Sequence, residues 1–203
     1  PYTTLFRSAF NESKVLEILN HEIDSNDNIY QDTRIVYRPH PWRQGHDSIA
    51  ELNLGRVALD PQIYDFYLNR KHDDLVQPEL NYYPSLLKNS MFVVGGMTSM
   101  IIEAQIFYKS VIGLIHEEKD SPTSPRKVFR EYEHFRGLEN LSSLALCNDL
   151  RDLPRLFRST FLREISKDEA AVDKVRIDNE RNYFLYNDQL PYHCRLDQLI
   201  SKV

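Results

Sequence analysis

Cysteine is scarce in this chain of 203 residues, with only Cys147 and Cys194 present. Two thiols so far apart make neither a disulfide framework nor a zinc site, and they read as free thiols of a reducing compartment. Long apolar runs are missing as well. The longest, near 91–94 and 111–115, have strand length and fall well short of the ~20 residues that span a bilayer. No signal peptide opens the sequence, so a cytoplasmic location is the default expectation. Positive charge is not in excess: 25 Lys and Arg against 30 Asp and Glu leave a net charge of −5. A nucleic-acid partner is therefore not expected, since it would need a net basic face against its phosphates. No Gly-Lys-Ser/Thr follows the Gly95-Gly96 pair, which excludes a Walker phosphate loop. His21, His72, His134 and His193 have no metal-ligand spacing, and there is neither an internal repeat nor a low-complexity tract.

What is present suits a folded domain. Hydrophobic residues make up 41% and charged residues 27% of the chain, enough for a real core. The length allows one domain, or one domain plus a tail. The opening, Pro1-Tyr2-Thr3-Thr4-Leu5-Phe6-Arg7-Ser8, matches the in-frame translation of a common sequencing adapter; a natural strand is the rival reading. Residues 1–8 are accordingly set apart as an artefact, 9–163 are expected to form the domain, and 164–203 a charged linker and tail. The expectation that follows is a protein that continues upstream, of which this is the C-terminal part.

Periodicity then assigns elements. Val15, Leu16, Ile18, Leu19 and Ile23 recur on one face of a helix capped by Asn11 or Ser13, and Ser25-Asn26-Asp27-Asn28 breaks it. Residues 34–37 and 56–60 read as short strands ending at prolines. The stretch 64–83 reads as helix plus loop, and 84–89 as a short helix with proline in its first turn. Met91-Phe92-Val93-Val94 is a strand buried on both faces, Gly95-Gly96 a turn, and Thr98 or Ser99 the cap of a helix carrying Ile101, Ile102, Ala104, Ile106 and Phe107. Residues 111–115 form another buried strand. This βαβ alternation predicts a parallel α/β sheet flanked by helices. Residues 117–128 read as a loop, 132–146 as mixed, Leu150, Leu153, Leu156, Phe157 and Phe161 as a helix, 164–176 as a solvated helix or linker, and the tail as aromatic near 182–186 and amphipathic near 196–200.

Ligands of open parallel sheets bind beyond the carboxyl ends of the strands, which directs attention to residues 38–47, 60–64 and 95–99. In the last, Gly95 and Gly96 let a ligand come close, Thr98 and Ser99 supply hydroxyls, and the following helix presents free N–H groups to an anion. A phosphate fits that set; so does a glycine turn with an ordinary cap. In the first, Arg38 can bridge phosphate oxygens and His40 can donate a hydrogen bond or act as acid or base, in a loop stiffened by Pro39 and Pro41. Glu103, one turn beyond Ser99, faces the same side and can accept from ribose hydroxyls. Asp60 and His116 end two strands, and His46 and Asp47 extend the first loop. Each has an ordinary structural alternative as a cap, turn or surface residue.

Taken in order, Ile35-Val36-Tyr37-Arg38-Pro39-His40-Pro41, Val57-Ala58-Leu59-Asp60, Tyr83-Pro84-Ser85-Leu86-Leu87-Lys88-Asn89-Ser90, Val93-Val94-Gly95-Gly96-Met97-Thr98-Ser99-Met100-Ile101-Ile102-Glu103-Ala104 and Lys109-Ser110-Val111-Ile112 resemble the C-terminal domain of GT-B-type glycosyltransferases of bacterial surface polysaccharides. The similar groups are the sialyl- and polysialyltransferases, the Kdo transferases of capsule synthesis and the glycerophosphotransferases of teichoic-acid synthesis. The resemblance spans roughly residues 13–160. It implies a Rossmann-like sheet forming one half of a GT-B fold, and a CMP- or CDP-linked sugar as donor substrate, with no cofactor and no metal. His40 would contact the nucleotide and is the candidate catalytic residue, Thr98 and Ser99 would hold the phosphate, and Glu103 would lie near the ribose. Arg38, Asp60, Gly95, Gly96 and His116 complete the expected substrate site. The expected partners are a glycan or lipid-linked acceptor and an N-terminal domain carrying the general base, with peripheral association at the inner face of the plasma membrane. Two departures stand out. Ser110 and Val111 occupy positions where many relatives have proline, and Gly95-Gly96 replaces the acidic residue of the glycerophosphotransferases. A nucleotide-sugar 2-epimerase and a non-catalytic Rossmann-like domain are the alternatives.

Overall fold

The computed structural model describes residues 2–6 (as backbone alone), 12–39, 53–63, 81–98, 100–117, 124–132, 135–166 and 180. Strand β1 is Tyr2–Phe6, followed by helix α1 (Glu12–Ser25), the single turn α2 (Asp27–Tyr30) and strands β2 (Arg34–Tyr37) and β3 (Val57–Leu59). Helix α3 (Tyr82–Asn89) leads into β4 (Ser90–Gly96), then α4 (Met100–Ile106), β5 (Ser110–Leu114), α5 (Pro125–Glu131), β6 (Leu144–Cys147) and α6 (Leu153–Ile165). Short 3-10 turns at Leu138–Asn140 and Leu150–Asp152 precede β6 and α6.

The strands form one parallel sheet in the order β3-β2-β1-β4-β5-β6. The chain therefore starts mid-sheet, winds outward to β3, returns to β4 beside β1 and winds to the opposite edge. That is the doubly wound dinucleotide-fold order, and the direction of winding reverses between β1 and β4. The expected α/β class, a parallel sheet flanked by helices, is the one observed. Because all strands are parallel, every carboxyl end lies on the same edge.

Side-chain alternation splits the interior into two cores. Phe92, Val94, Ile112 and Leu114 point to one face, where Val15, Leu16, Leu19 and Ile23 of α1 and Leu153, Phe157 and Phe161 of α6 cover them. Val93 and Val111 point to the other, under Leu87, Ile101 and Ala104. The continuous apolar runs of β4 and β5 are thus explained by burial on both faces. Gly113 keeps β5 thin at the carboxyl edge: a Cβ there would meet Leu144 Cδ1 at 3.1 Å and the Met97 sulfur at 3.5 Å.

A polar tie joins α1, α2 and α6. Glu22 is 7% exposed; its Oε1 accepts from Tyr30 Oη at 2.7 Å and from Arg158 Nε at 2.9 Å. Burial, together with the Glu22 carboxylate, pushes the Tyr30 phenol well above its usual value, so it stays a donor. Tyr30 also packs edge-on against Phe161 at 4.8 Å. At the far end of α6, Ser110 Oγ donates to Glu164 Oε1 at 2.5 Å and accepts from Arg163 Nη2 at 2.9 Å. Ser110 therefore anchors α6 to the start of β5.

Two expectations need correction. Gly95-Gly96 is no turn: both glycines belong to β4, because Gly95 is registered against Phe6 and Gly113, and Gly96 against Leu114. The ladders on either side carry the extended backbone to Gly96, and the chain bends at Met97–Thr98 instead. The 117–128 loop is shortened by α5, whose Pro125 sits in the first turn, where its missing N–H costs nothing. Within the mixed stretch 132–146, β6 starts at Leu144 and pairs with β5. The segment 1–8, set apart on sequence grounds, contributes β1, which pairs with both β2 and β4.

Two outcomes follow. A chain starting at Ala9 lacks the strand between β2 and β4 and is expected to lose its cooperative thermal transition by circular dichroism; an unchanged melt would show that the slot can be left empty. Arg158→Met leaves the Glu22 carboxylate short of its cation and is expected to lower the urea midpoint, with part of the loss recovered in Glu22→Gln/Arg158→Met.

Candidate functional site

The carboxyl edge gathers most of the described residues singled out from the sequence. Arg38 follows β2 and Asp60 follows β3. Arg38 Nη1 donates to Asp60 Oδ2 at 3.0 Å, with side-chain exposures of 11% and 0%, and Nη2 donates to Gln62 Oε1 at 2.9 Å. The other Asp60 oxygen accepts from the backbone N–H of Gln62 at 2.9 Å and of Ile63 at 3.2 Å. Asp60 thus caps the helical turn at 61–63 and neutralises Arg38 at the same time. The guanidinium carbon lies 5.8 Å from the Tyr82 ring centroid and 5.4 Å from that of Tyr83, within cation–π range.

Tyr83 carries the cluster on to α4. Burial first, then the charge of the nearby Glu103, push its phenol far up, and burial raises Tyr82 as well. Both phenols therefore stay protonated at neutral pH. Arg38, Asp60 and Glu103, drawn from three separate segments, are joined through Tyr83. Neither tyrosine was expected at the site. Their sequence context looks like the start of an amphipathic helix, and only the position of that helix at the top of the sheet reveals them.

Beyond β4 the setting differs. Thr98 Oγ1 is buried with no hydrogen-bond partner among the described residues. His116, directly after β5, is 6% exposed. Arg126, from α5, reaches across the ends of β5 and β6: Nη1 donates to Glu117 Oε2 at 3.2 Å and Nη2 to the Asn148 carbonyl at 3.0 Å. Sequence reading missed Arg126 because α5 was taken for loop. His40, Pro41, His46, Asp47 and Ser99 lie outside the described residues, as does Cys194. Cys147 is a free thiol that burial pushes up to about 11, which makes it inert rather than nucleophilic.

The turn after β1 holds no phosphate-binding glycine pattern. Instead Glu12, at the start of α1 and 4% exposed, accepts a hydrogen bond from the Tyr37 hydroxyl. An acidic side chain there, with no glycine in the sequence between β1 and α1, does not offer the close backbone approach that a pyrophosphate takes in the usual dinucleotide mode of this strand order. A groove of about 470 Å³ lies elsewhere, between α1 and the start of α6, lined by Lys14, Ile18, His21, Glu22, Asp149, Leu150, Arg151 and Pro154. None of the expected site residues lines it. Among the described residues no group of three or more His, Cys, Asp or Glu side chains could hold a metal, and no helix is long and apolar enough to cross a membrane.

No protein-family model matches the chain, and no curated protein matches it.

The Arg38–Asp60 pair is shielded from water, so removing one partner strands the other. Asp60→Ala is expected to destabilise the fold by about 3–5 kcal/mol, read from the urea midpoint. In a double-mutant cycle with Arg38→Met the losses should fall short of additive; strict additivity would show that the pair is not coupled.

Proposed function

We propose that the chain is the nucleotide-binding half of a GT-B-type glycosyltransferase that takes a CMP- or CDP-linked sugar. The observation that carries this reading is the meeting of Arg38, Asp60 and Glu103 on the carboxyl edge of a doubly wound sheet, the edge where ligands of such sheets bind. The order of motifs along the chain supports it, and Glu12 argues against the dinucleotide alternative on the same strand order.

In this reading an acceptor hydroxyl attacks the donor's anomeric carbon. The new C–O bond forms as the bond from that carbon to the phosphate oxygen breaks, and the nucleotide leaves with the electron pair. The acceptor proton passes to a base contributed by another domain. This chain's part is to hold the leaving phosphate, with His40, Thr98 and Ser99 donating to it as charge develops, while Glu103 accepts from the ribose hydroxyls. Arg38, already neutralised by Asp60, orders the wall of the site with the two tyrosines.

Titration calorimetry of the chain with CMP, CDP, UDP and GDP tests the reading. Cytidine nucleotides are expected to bind most tightly, and His40→Ala to weaken them about ten-fold without lowering the melting temperature. Absence of binding by any nucleotide would leave a non-catalytic domain as the reading.

A further inference from the structure

Arg38 and Arg126 both reach the carboxyl edge, and their surroundings decide which can hold an anion. Arg38 faces a fully buried carboxylate, two aromatic rings and a glutamine amide. Pulling it toward a ligand would uncover Asp60 inside the protein, a large penalty. Arg126 is held differently. Its carboxylate partner, Glu117, has 63% of its side chain exposed, and such a pair exchanges for a better partner at little cost because water takes over the released carboxylate. Its other contact is a neutral backbone carbonyl, Asn148 O.

Arg126 also has an unused donor: Nε is buried and has no hydrogen-bond partner among the described residues. Thr98 Oγ1 is in the same condition. Buried donors left without acceptors are rare, because each forfeits its hydration without replacement. These two flank one stretch of the edge. Thr98 follows β4, and Arg126 spans the ends of β5 and β6, the next two strands. Neighbouring strands lie about 4.8 Å apart, so a group with several acceptor oxygens can bridge them. His116, which follows β5 between them, is a further polar side chain at this place.

We propose that Arg126 and Thr98 form an oxyanion site over the carboxyl ends of β4–β6, built for a phosphate or diphosphate group. The identity of that group as part of a nucleotide rests on the glycosyltransferase reading; the anion site rests on the geometry alone. Glu117 is its gate charge, paired with Arg126 until the anion displaces it.

Binding of inorganic pyrophosphate to the full chain, by calorimetry at low ionic strength, tests the site. The wild type is expected to bind, Arg126→Met to weaken binding about ten-fold or more, and Glu117→Gln to tighten it, since the anion no longer competes with a carboxylate. Thr98→Val is the sharper variant. It keeps the shape and removes a hydroxyl that has no protein partner, so the melting temperature should hold or rise while pyrophosphate affinity falls about three-fold or more. No binding by wild type, or equal binding by wild type and folded Thr98→Val and Arg126→Met, overturns the proposal. Cytidine, CMP and CDP in parallel separate the two readings. Pyrophosphate binding sensitive to Arg126, with no gain from the nucleoside, keeps the anion site and removes the nucleotide.

Discussion

The parallel ladder around β1 is the constraint on which the rest depends. With β2 hydrogen-bonded on one side and β4 on the other, the chain must leave the centre in opposite directions, and a crevice opens where it does so. Parallel pairing also fixes polarity. Each strand must run the same way, so each crossover returns across one face of the sheet or the other and each carboxyl end arrives at one edge. Arg38, Asp60, Thr98, His116 and Asn148 are scattered along the sequence, yet all follow strands and so come to one surface. Any ligand chemistry of this fold is confined there before a single side chain is considered.

That edge divides electrostatically. On the β2–β3 side the polar groups are spent inward: Arg38 on Asp60 and Gln62, and Tyr37 on Glu12. These contacts are buried or half-buried, and low dielectric makes them costly to open. On the β4–β6 side the Thr98 hydroxyl and the Arg126 Nε donor are buried without hydrogen-bond partners among the described residues, and the carboxylate paired with Arg126 is exposed. Rigidity and availability are thereby separated. One half of the edge holds its geometry, while the other keeps donors that only an added acceptor can satisfy.

Much of the architecture is legible in the sequence, for identifiable reasons. Val15 to Ile23 carry a clean helical period, and Met91–Val94 and 111–115 are apolar runs that only double burial explains. Both signals arise from packing, so packing reproduces them. What the sequence conceals is set by long-range pairing. Gly95 and Gly96 look like a turn in isolation and are strand because β1 and β5 continue beside them. Leu144–Cys147 has no β-branched or aromatic residue to mark a strand, and its ladder with β5 makes it one. At the candidate site, Arg38, Asp60 and Glu103 are visible as polar residues after strands or within a capped helix. Tyr82, Tyr83 and Arg126 are not, since each lies on a short helix whose position relative to the sheet no local pattern encodes.

The same division separates two arginines that sequence alone does not tell apart. Sequence gives the presence of a guanidinium, not the charge already opposite it. Arg38 and Arg126 are chemically identical, and both reach the carboxyl edge. They differ in that one carboxylate is inaccessible to water and the other is not. Water decides the matter, because a displaced carboxylate must be rehydrated, and only Glu117 can be. An anion arriving at this edge therefore meets one arginine whose partner cannot leave and another whose partner can, and the free energy of exchange selects the second.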